Sequence, residues 1–206
     1  MSLRLKGSTS GYVELEAPAT SSNNTLTLPD GNGTSGQYLQ TNGSGALSWT
    51  TNPAQFQSYA ILQDQKAQNT GGGTFTAGAW QTRDLNTEVF DPDGIVSLST
   101  NQFTLIAGTY LLHWSAPAYA VQRHQSILYD VTGVAYLDRG TSAYSRDAGT
   151  GQTSRSFGTA RVTISSSNTY EIRHRGTVTH ATNGFGIETN VTTPEVYTVV
   201  EIYKEL

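Results

Sequence analysis

The stretch Glu195–Tyr203 limits what this chain can fold into more than any other. Read at the two-residue period of a strand, one face carries Val196, Thr198, Val200 and Ile202. The other carries Tyr197, Val199, Glu201 and Tyr203. A strand with one face in water alternates apolar and polar residues, whereas this one is apolar on nearly both faces. It is therefore expected centrally in a sheet, one face in its own core and the other against something further. Chain ends fray unless they are tied down, so a two-faced strand here predicts a subunit contact. Tyr59-Ala60-Ile61-Leu62 has the same two-sided pattern. Tyr59, Ile61, Tyr197, Val199 and Tyr203 are accordingly the expected interface residues of an obligate oligomer.

Composition narrows the fold class. Only 14% of the 206 residues are charged, and 21 Gly and 6 Pro punctuate short β-branched and aromatic runs. No window combines Ala, Leu, Glu and Lys at a helical period, so an all-β chain is expected. Arg4 and Lys6 stand against Glu14, Glu16 and Asp30 in the first 50 residues, and the whole chain carries a net charge of −4. Neither part has the basic surface of a nucleic-acid binder. With no cysteine there are no disulfides, thiolate metal sites or thiol nucleophiles. Met1-Ser2-Leu3-Arg4 lacks the apolar core of a signal peptide, and no apolar run is long enough to cross a membrane as a helix. Synthesis in a cytosol without general secretory export or membrane insertion is the expectation.

Residues 1–50 alternate very short apolar runs (Leu3–Lys6, Tyr12–Glu16, Thr25–Leu28, Tyr38–Gln40, Leu47–Trp49) with Gly-, Ser- and Asn-rich turns. Such a segment buries too little surface to fold alone without staples. It is either disordered or an intertwined stem wound around copies of itself, and the regular apolar pairs favour the stem. Residues 51–56 form a short joint. From 57 to 206 about ten strands are expected at the spacing of a β-sandwich. Among them are Trp80–Leu85, Ile95–Leu98, Phe103–Ile106, a long strand Thr109–Ala118, a hairpin around Thr132-Gly133, and Phe185–Glu188.

The order of these features resembles a known family. A Trp-bearing segment, then Asn101-Gln102-Phe103-Thr104 leading into Ala107-Gly108-Thr109-Tyr110 before the long strand, is similar to the complement and tumour-necrosis-factor jelly roll. The likeness spans residues 57–206. Leu26 to Trp49, with Leu28-Pro29-Asp30-Gly31 and Gly36-Gln37-Tyr38-Leu39-Gln40-Thr41-Asn42-Gly43-Ser44-Gly45, resembles a segment of phage fibre and decoration proteins. The combination implies a homotrimer: a small β stem that attaches to other virion proteins, followed by a ten-stranded jelly-roll head. It further implies a place on a virion, synthesis in the cytoplasm of an infected bacterial or cyanobacterial host, and a host-surface glycan or protein as partner.

Candidate chemistry is sparse. Gly31-Asn32-Gly33-Thr34-Ser35-Gly36 fits a dinucleotide fingerprint by letter, but Pro29 precedes it and a strand follows, so a turn is expected. His113, His124, His174 and His180 have no metal-ligand spacing. Asp91 and Asp93 could ligate calcium, yet two carboxylates are too few for a hard cation and a turn is favoured. Neither a catalytic centre, a metal nor a cofactor is expected. In a jelly roll the alternation of strand direction puts Lys66–Ala79, Ala120–His124, Ser165–Asn168 and Thr189–Pro194 at the end away from the stem. Ser142–Thr153 and Thr179–Gly184 are then expected nearer the stem or at the side. Exposed aromatic and planar polar groups on such loops suit recognition, which singles out Tyr119, Gln122, Arg123 and His124 as receptor-binding. The competing roles are a structural head or tail decoration and, less well supported, a host-type signalling jelly roll.

Overall fold

The computed structural model of the protein describes residues 3–15, 18–20, 22–51, 56–146, 151–191 and 193–206. The chain divides into two units, Met1–Pro53 and Ala54–Leu206. Most of the expected joint at 51–56, namely 52–55, lies outside the described residues, as does 147–150 of the Ser142–Thr153 loop.

In the first unit β1 (Leu3–Lys6) pairs antiparallel with β2 (Tyr12–Leu15), and β3 (Gln37–Thr41) with β4 (Leu47–Thr51). The Asn42 side chain closes the second hairpin by accepting from the Ser44 and Ala46 N–H groups, a local bond that favours Asn in turns. Trp49 Nε1 donates to the Gly31 carbonyl at 2.6 Å. That contact settles the glycine-rich segment as a turn packed on an indole. The strand expected at Thr25–Leu28 is reduced to one bridge, Thr27 to Ala46. Leu3, Leu5, Tyr12, Val13, Leu15, Leu26 and Leu28 all remain more than half exposed. Two-stranded ribbons cannot bury both faces by themselves.

The second unit runs β5 (Phe56–Lys66), β6 (Gln81–Thr82), β7 (Thr87–Phe90), β8 (Val96–Ser99), β9 (Gln102–Leu105) and β10 (Gly108–Tyr119). It continues with β11 (Gln122–Asp130), β12 (Ala135–Arg139), β13 (Ala143–Ser145), β14 (Thr153–Ile164), β15 (Asn168–Gly176) and β16 (Glu195–Glu205). One sheet has the order β14-β10-β16-β5-β7; the other has β12-β11-β15-β9-β8, with β13 added to β11 and β6 to β15. From β9 onward the long strands switch sheets in turn, β9, β11 and β15 in the second, β10, β14 and β16 in the first. This is a ten-stranded jelly-roll sandwich with two short additions.

Period-two patterning explains the core. In β10, Tyr110, Leu112, Trp114, Ala116 and Ala118 are buried while Leu111, His113 and Ser115 alternate outward. Tyr110, Leu112 and Trp114 meet Ala60 and Leu62 of β5, Phe103 and Leu105 of β9, Tyr170 and Ile172 of β15, and Val200 and Ile202 of β16, while Ala118 joins Phe75, Val121 and Phe185. Each large apolar side chain so enclosed contributes about 1.5–3 kcal/mol. Gly158 lies beside Trp114, whose indole occupies the place of a Cβ there. The indole N–H donates to Ser126 Oγ at 2.8 Å, Ser126 to Ser156 Oγ at 2.8 Å, and Ser156 to the Thr141 carbonyl. Buried hydroxyls are thus satisfied as a chain.

Some strands differ from expectation. Trp80–Leu85 shrinks to Gln81–Thr82, and β7 and β13 were not foreseen. Phe185–Glu188 is not a strand: Gly184 and Gly186 (φ +141°) flank Phe185, whose ring packs on Phe75. At Asp91 both carboxylate oxygens accept backbone N–H groups, from Ile95 at 3.0 Å and Val96 at 2.9 Å. Asp93 accepts from Ser58. The segment is a capped turn.

Candidate functional site

Strand register fixes what stands at each end of the head. β5 leaves the Phe56 end and reaches the opposite end at Lys66, where Glu195 pairs with it. Tyr119 pairs with Thr153 and His124 with Gly176, so the ends of β10 and β15 and the starts of β11, β14 and β16 share that opposite end. There Lys66–Ala79, Ala120–His124, Thr177–Gly184 and the described residues of 142–153 and 189–194 converge. Two expectations are thereby corrected. Ser165–Asn168 lies at the Phe56 end, because Ile164 pairs with Gly108. Residues 142–146 and 151–153, and Thr179–Gly184, lie at the Tyr119 end. The cause is β13: after β12 the chain bends at Gly140 and continues alongside β11, Ala143 opposite His124 and Ser145 opposite Gln122. A side chain at Gly140 would strike the Ser126 and Ser156 hydroxyls.

The four residues expected to bind a receptor separate on inspection. Arg123 is exposed, and Tyr119 and Gln122 are half-buried. Tyr119 meets the His180 ring edge-on at 5.1 Å. Ala120 (φ +55°) and Gln122 (φ +58°) form a tight turn in the left-handed region, held by the Val121 N–H donating to Ser145 Oγ. His124 is only 3% exposed and does not belong with them. The parity of β11 turns its ring into the sandwich, where Nδ1 lies 2.9 Å from His174 Nε2 and Nε2 lies 2.7 Å from Ser154 Oγ. Tyr144 and Arg146, brought here by β13, are both exposed. Arg155 is half-buried and donates to Ser115 Oγ and the Tyr197 carbonyl, which makes it a strut.

Ser154, His124 and His174 have the order of a nucleophile, a base and an orienting group. Burial, helped by the Arg83 charge, pulls the His124 pKa down to about 4 and drives that of His174 well below its ordinary value. Such an imidazole is a weak general base near neutrality. By the alternation of β14 Ser154 faces inward, as buried Ser156 does. The three groups hold the sheets together at this end. Arg83, fully buried, completes them by donating to Thr198 Oγ1 at 2.9 Å and the Phe185 carbonyl at 2.8 Å, its guanidinium 4.2 Å from the Phe185 ring centre. Sequence offered no signal for a buried arginine. Among the described residues no three His, Asp or Glu side chains gather as metal ligands.

The outer face of the first sheet is a second candidate surface. Tyr59 (43% exposed) stacks on Phe90 at 4.6 Å and lies 6.2 Å from Tyr203, which in turn meets Phe56 at 5.1 Å and His113 at 6.0 Å. Ile61 and Val199 share this face. Phe157, 54% exposed, borders a groove of about 280 Å³ with His113, Val199 and Glu201. Tyr197 is corrected here: it is 3% exposed and sealed by its own chain, its hydroxyl donating to the Thr70 carbonyl at 2.6 Å. A bulge between Val196 and Val199 shifts the parity of β16, and one residue of slip reassigns faces.

No family model matches the sequence, and no curated protein matches it. Among solved structures, the globular domain of zebrafish complement 1qA protein aligns at a TM-score of 0.41 and 14% identity, over 72% of this chain and 97% of that one. Murine APRIL aligns at a TM-score of 0.41 and 6% identity, over 71% of this chain and 98% of that one.

Proposed function

We propose that the protein is a non-enzymatic virion fibre component. Three chains associate through the outer face of the β14-β10-β16-β5-β7 sheet, and the end of the head opposite Phe56 binds a host-cell surface. The observation that carries self-association is the aromatic row Phe90–Tyr59–Tyr203–Phe56 with Ile61, Val199 and Phe157, left in water by a single chain. A contiguous apolar face of this kind marks an association surface. The half-exposed leucines and tyrosines of the first unit support the same reading, since copies of that unit would cover what one copy cannot. Attachment of residues 1–50 to other virion proteins rests on the motif between Leu26 and Trp49. The adhesin role is supported by the gathering of Tyr119, Arg123, Tyr144 and Arg146 on loops at one end of a rigid sandwich. Weak sites on a trimer would act together through avidity.

Purified full-length protein is expected to bind susceptible cells and to block adsorption of the parent virion. Substituting alanine at Tyr119, Arg123, Tyr144 and Arg146 together should lower cell binding at least ten-fold with the melting temperature unchanged. Protein that binds no cells and leaves adsorption unaffected would favour the alternative, a head or tail decoration with a structural role.

A further inference from the structure

The outer face of the second sheet carries a groove of about 500 Å³ near the loop end, between Trp80, Arg123, Gln125, Arg175 and Thr177. Its floor follows from register. Gln125 of β11 stands directly opposite Arg175 of β15, and Arg123 is two residues further along β11 on the same face. The two exposed guanidinium groups are therefore diagonal neighbours. Trp80 precedes β6, whose pairing with Arg173 and His174 brings it level with Arg175. The indole lies across the face and comes within 6.1 Å of the Tyr136 ring.

Arg4 is paired with Glu14, Arg161 with Glu205 and Arg173 with Glu171, while buried Arg83 and half-buried Arg155 are held by hydrogen bonds. Among the described residues Arg123 and Arg175 have neither ion pair nor side-chain hydrogen bond. Arg139 and Arg146 also lack an ion pair or side-chain hydrogen bond, but the two partnerless arginines that line this groove together are Arg123 and Arg175. In a chain of net charge −4, two uncompensated like charges side by side do not help folding, because neighbouring like charges on a sheet repel. A guanidinium presents a planar fork that matches an oxyanion. Gln125 is held by its amide donating to the Gly140 carbonyl at 2.9 Å, which leaves its side-chain oxygen to accept from a hydroxyl. The Trp80 indole offers a flat apolar wall of the kind on which a sugar ring stacks. The volume is within the range of small-ligand sites, about 300–1,000 Å³.

We infer that this groove binds a saccharide bearing an oxyanion, its acidic group on Arg123 and Arg175 and its ring against Trp80. The inference rests on reading the head as a surface-binding module and adds the class of ligand. It lies on the sheet face away from the aromatic row, so self-association leaves it open. The probes are an oligouronate, the same oligomer methyl-esterified, and a sulfated oligosaccharide, titrated calorimetrically into the full-length protein. Binding of the oligouronate, weakened at least ten-fold by esterification and by R123Q or R175Q but not by the charge change K204Q at the Phe56 end of the other sheet, is the expected result. Equal affinity for the sulfated oligomer would mean that any oxyanion suffices, and its rejection would mean that a carboxylate is required; both support the site. Trp80→Ala, with its melting temperature checked, should cost affinity for all acidic probes. The inference is overturned if acidic and esterified oligomers bind alike, if none binds, or if R123Q and R175Q bind as wild type. Wild-type protein that adheres to cells yet ignores every acidic probe would refute the groove and keep the adhesin. Failure on both cells and probes would remove the adhesin reading as well.

Discussion

Replacing Tyr197 with Asp is expected to stop the head from folding, rather than to release folded protomers from an assembly. The side chain is 3% exposed, and its hydroxyl donates to the Thr70 carbonyl at 2.6 Å. Its ring lies against Gly186. Burial and the nearby Glu195, Glu188 and Asp64 push the phenol pKa up to about 12, so the surroundings already resist negative charge. An aspartate there would be desolvated among carboxylates, at a cost of about 3–5 kcal/mol. Against a total stability of about 5–15 kcal/mol for a domain, that is enough to lose most of the folded population. Tyr197→Phe, which leaves the Thr70 carbonyl unpaired, should cost about 1–3 kcal/mol. Circular dichroism melts of both variants check this. A Tyr197→Asp protein with a wild-type melting transition would show that the side chain is not sealed inside its own chain.

The head should also lose stability as pH falls from about 6.5 to about 4. In the folded state burial, and after it the Arg83 charge, hold the His124 pKa down at about 4. His174 is lowered too, by burial, Arg83 and His124 in that order. In the unfolded chain both imidazoles take up a proton near their ordinary value of 6.5. Below that pH the unfolded state therefore binds more protons than the folded one, and acid favours it. Their contribution is fully present above pH 6.5 and lost as pH drops through the folded value. For His124 alone the loss is on the order of 3 kcal/mol. In a head of this size that corresponds to about 6–12 °C in melting temperature. Asp64, whose carboxyl burial pushes up, opposes the trend in its own range. Glutamine at both histidines should flatten the melting temperature between pH 6.5 and 4.5. A wild-type midpoint that stays constant across this window would contradict the buried neutral pair.

The strands most legible in the sequence were those whose alternation runs uninterrupted. Tyr110, Leu112 and Trp114 on one side of β10, and Val200 and Ile202 on one side of β16, could be assigned to the core from parity. Parity failed at Tyr197 because the bulge before Val199 has no sequence mark; it arises where β16 must fit β5. The ends of the sandwich were misassigned for a related reason. Counting strands requires knowing that Ala143-Tyr144-Ser145 resumes pairing after Gly140, and three residues carry too little pattern to announce a strand. His124 neighbours Arg123 in a polar turn, which in sequence marks an exposed residue, and only its cross-strand contacts with His174 and Ser154 show that it turns inward. Arg175 and Trp80 are 95 positions apart, and no local spacing could join them across β6.

The central claim, self-association through the aromatic sheet face, is tested most directly by sedimentation velocity on the full-length protein at micromolar concentration, alongside Tyr59→Asp and Tyr203→Asp. Wild-type protein should sediment at three times its 22.1 kDa protomer mass. The two variants, each placing a charge in the row where Tyr59, Phe90 and Tyr203 meet, should sediment as folded single chains. Wild-type protein at 22.1 kDa, or variants that keep the wild-type mass, would contradict it.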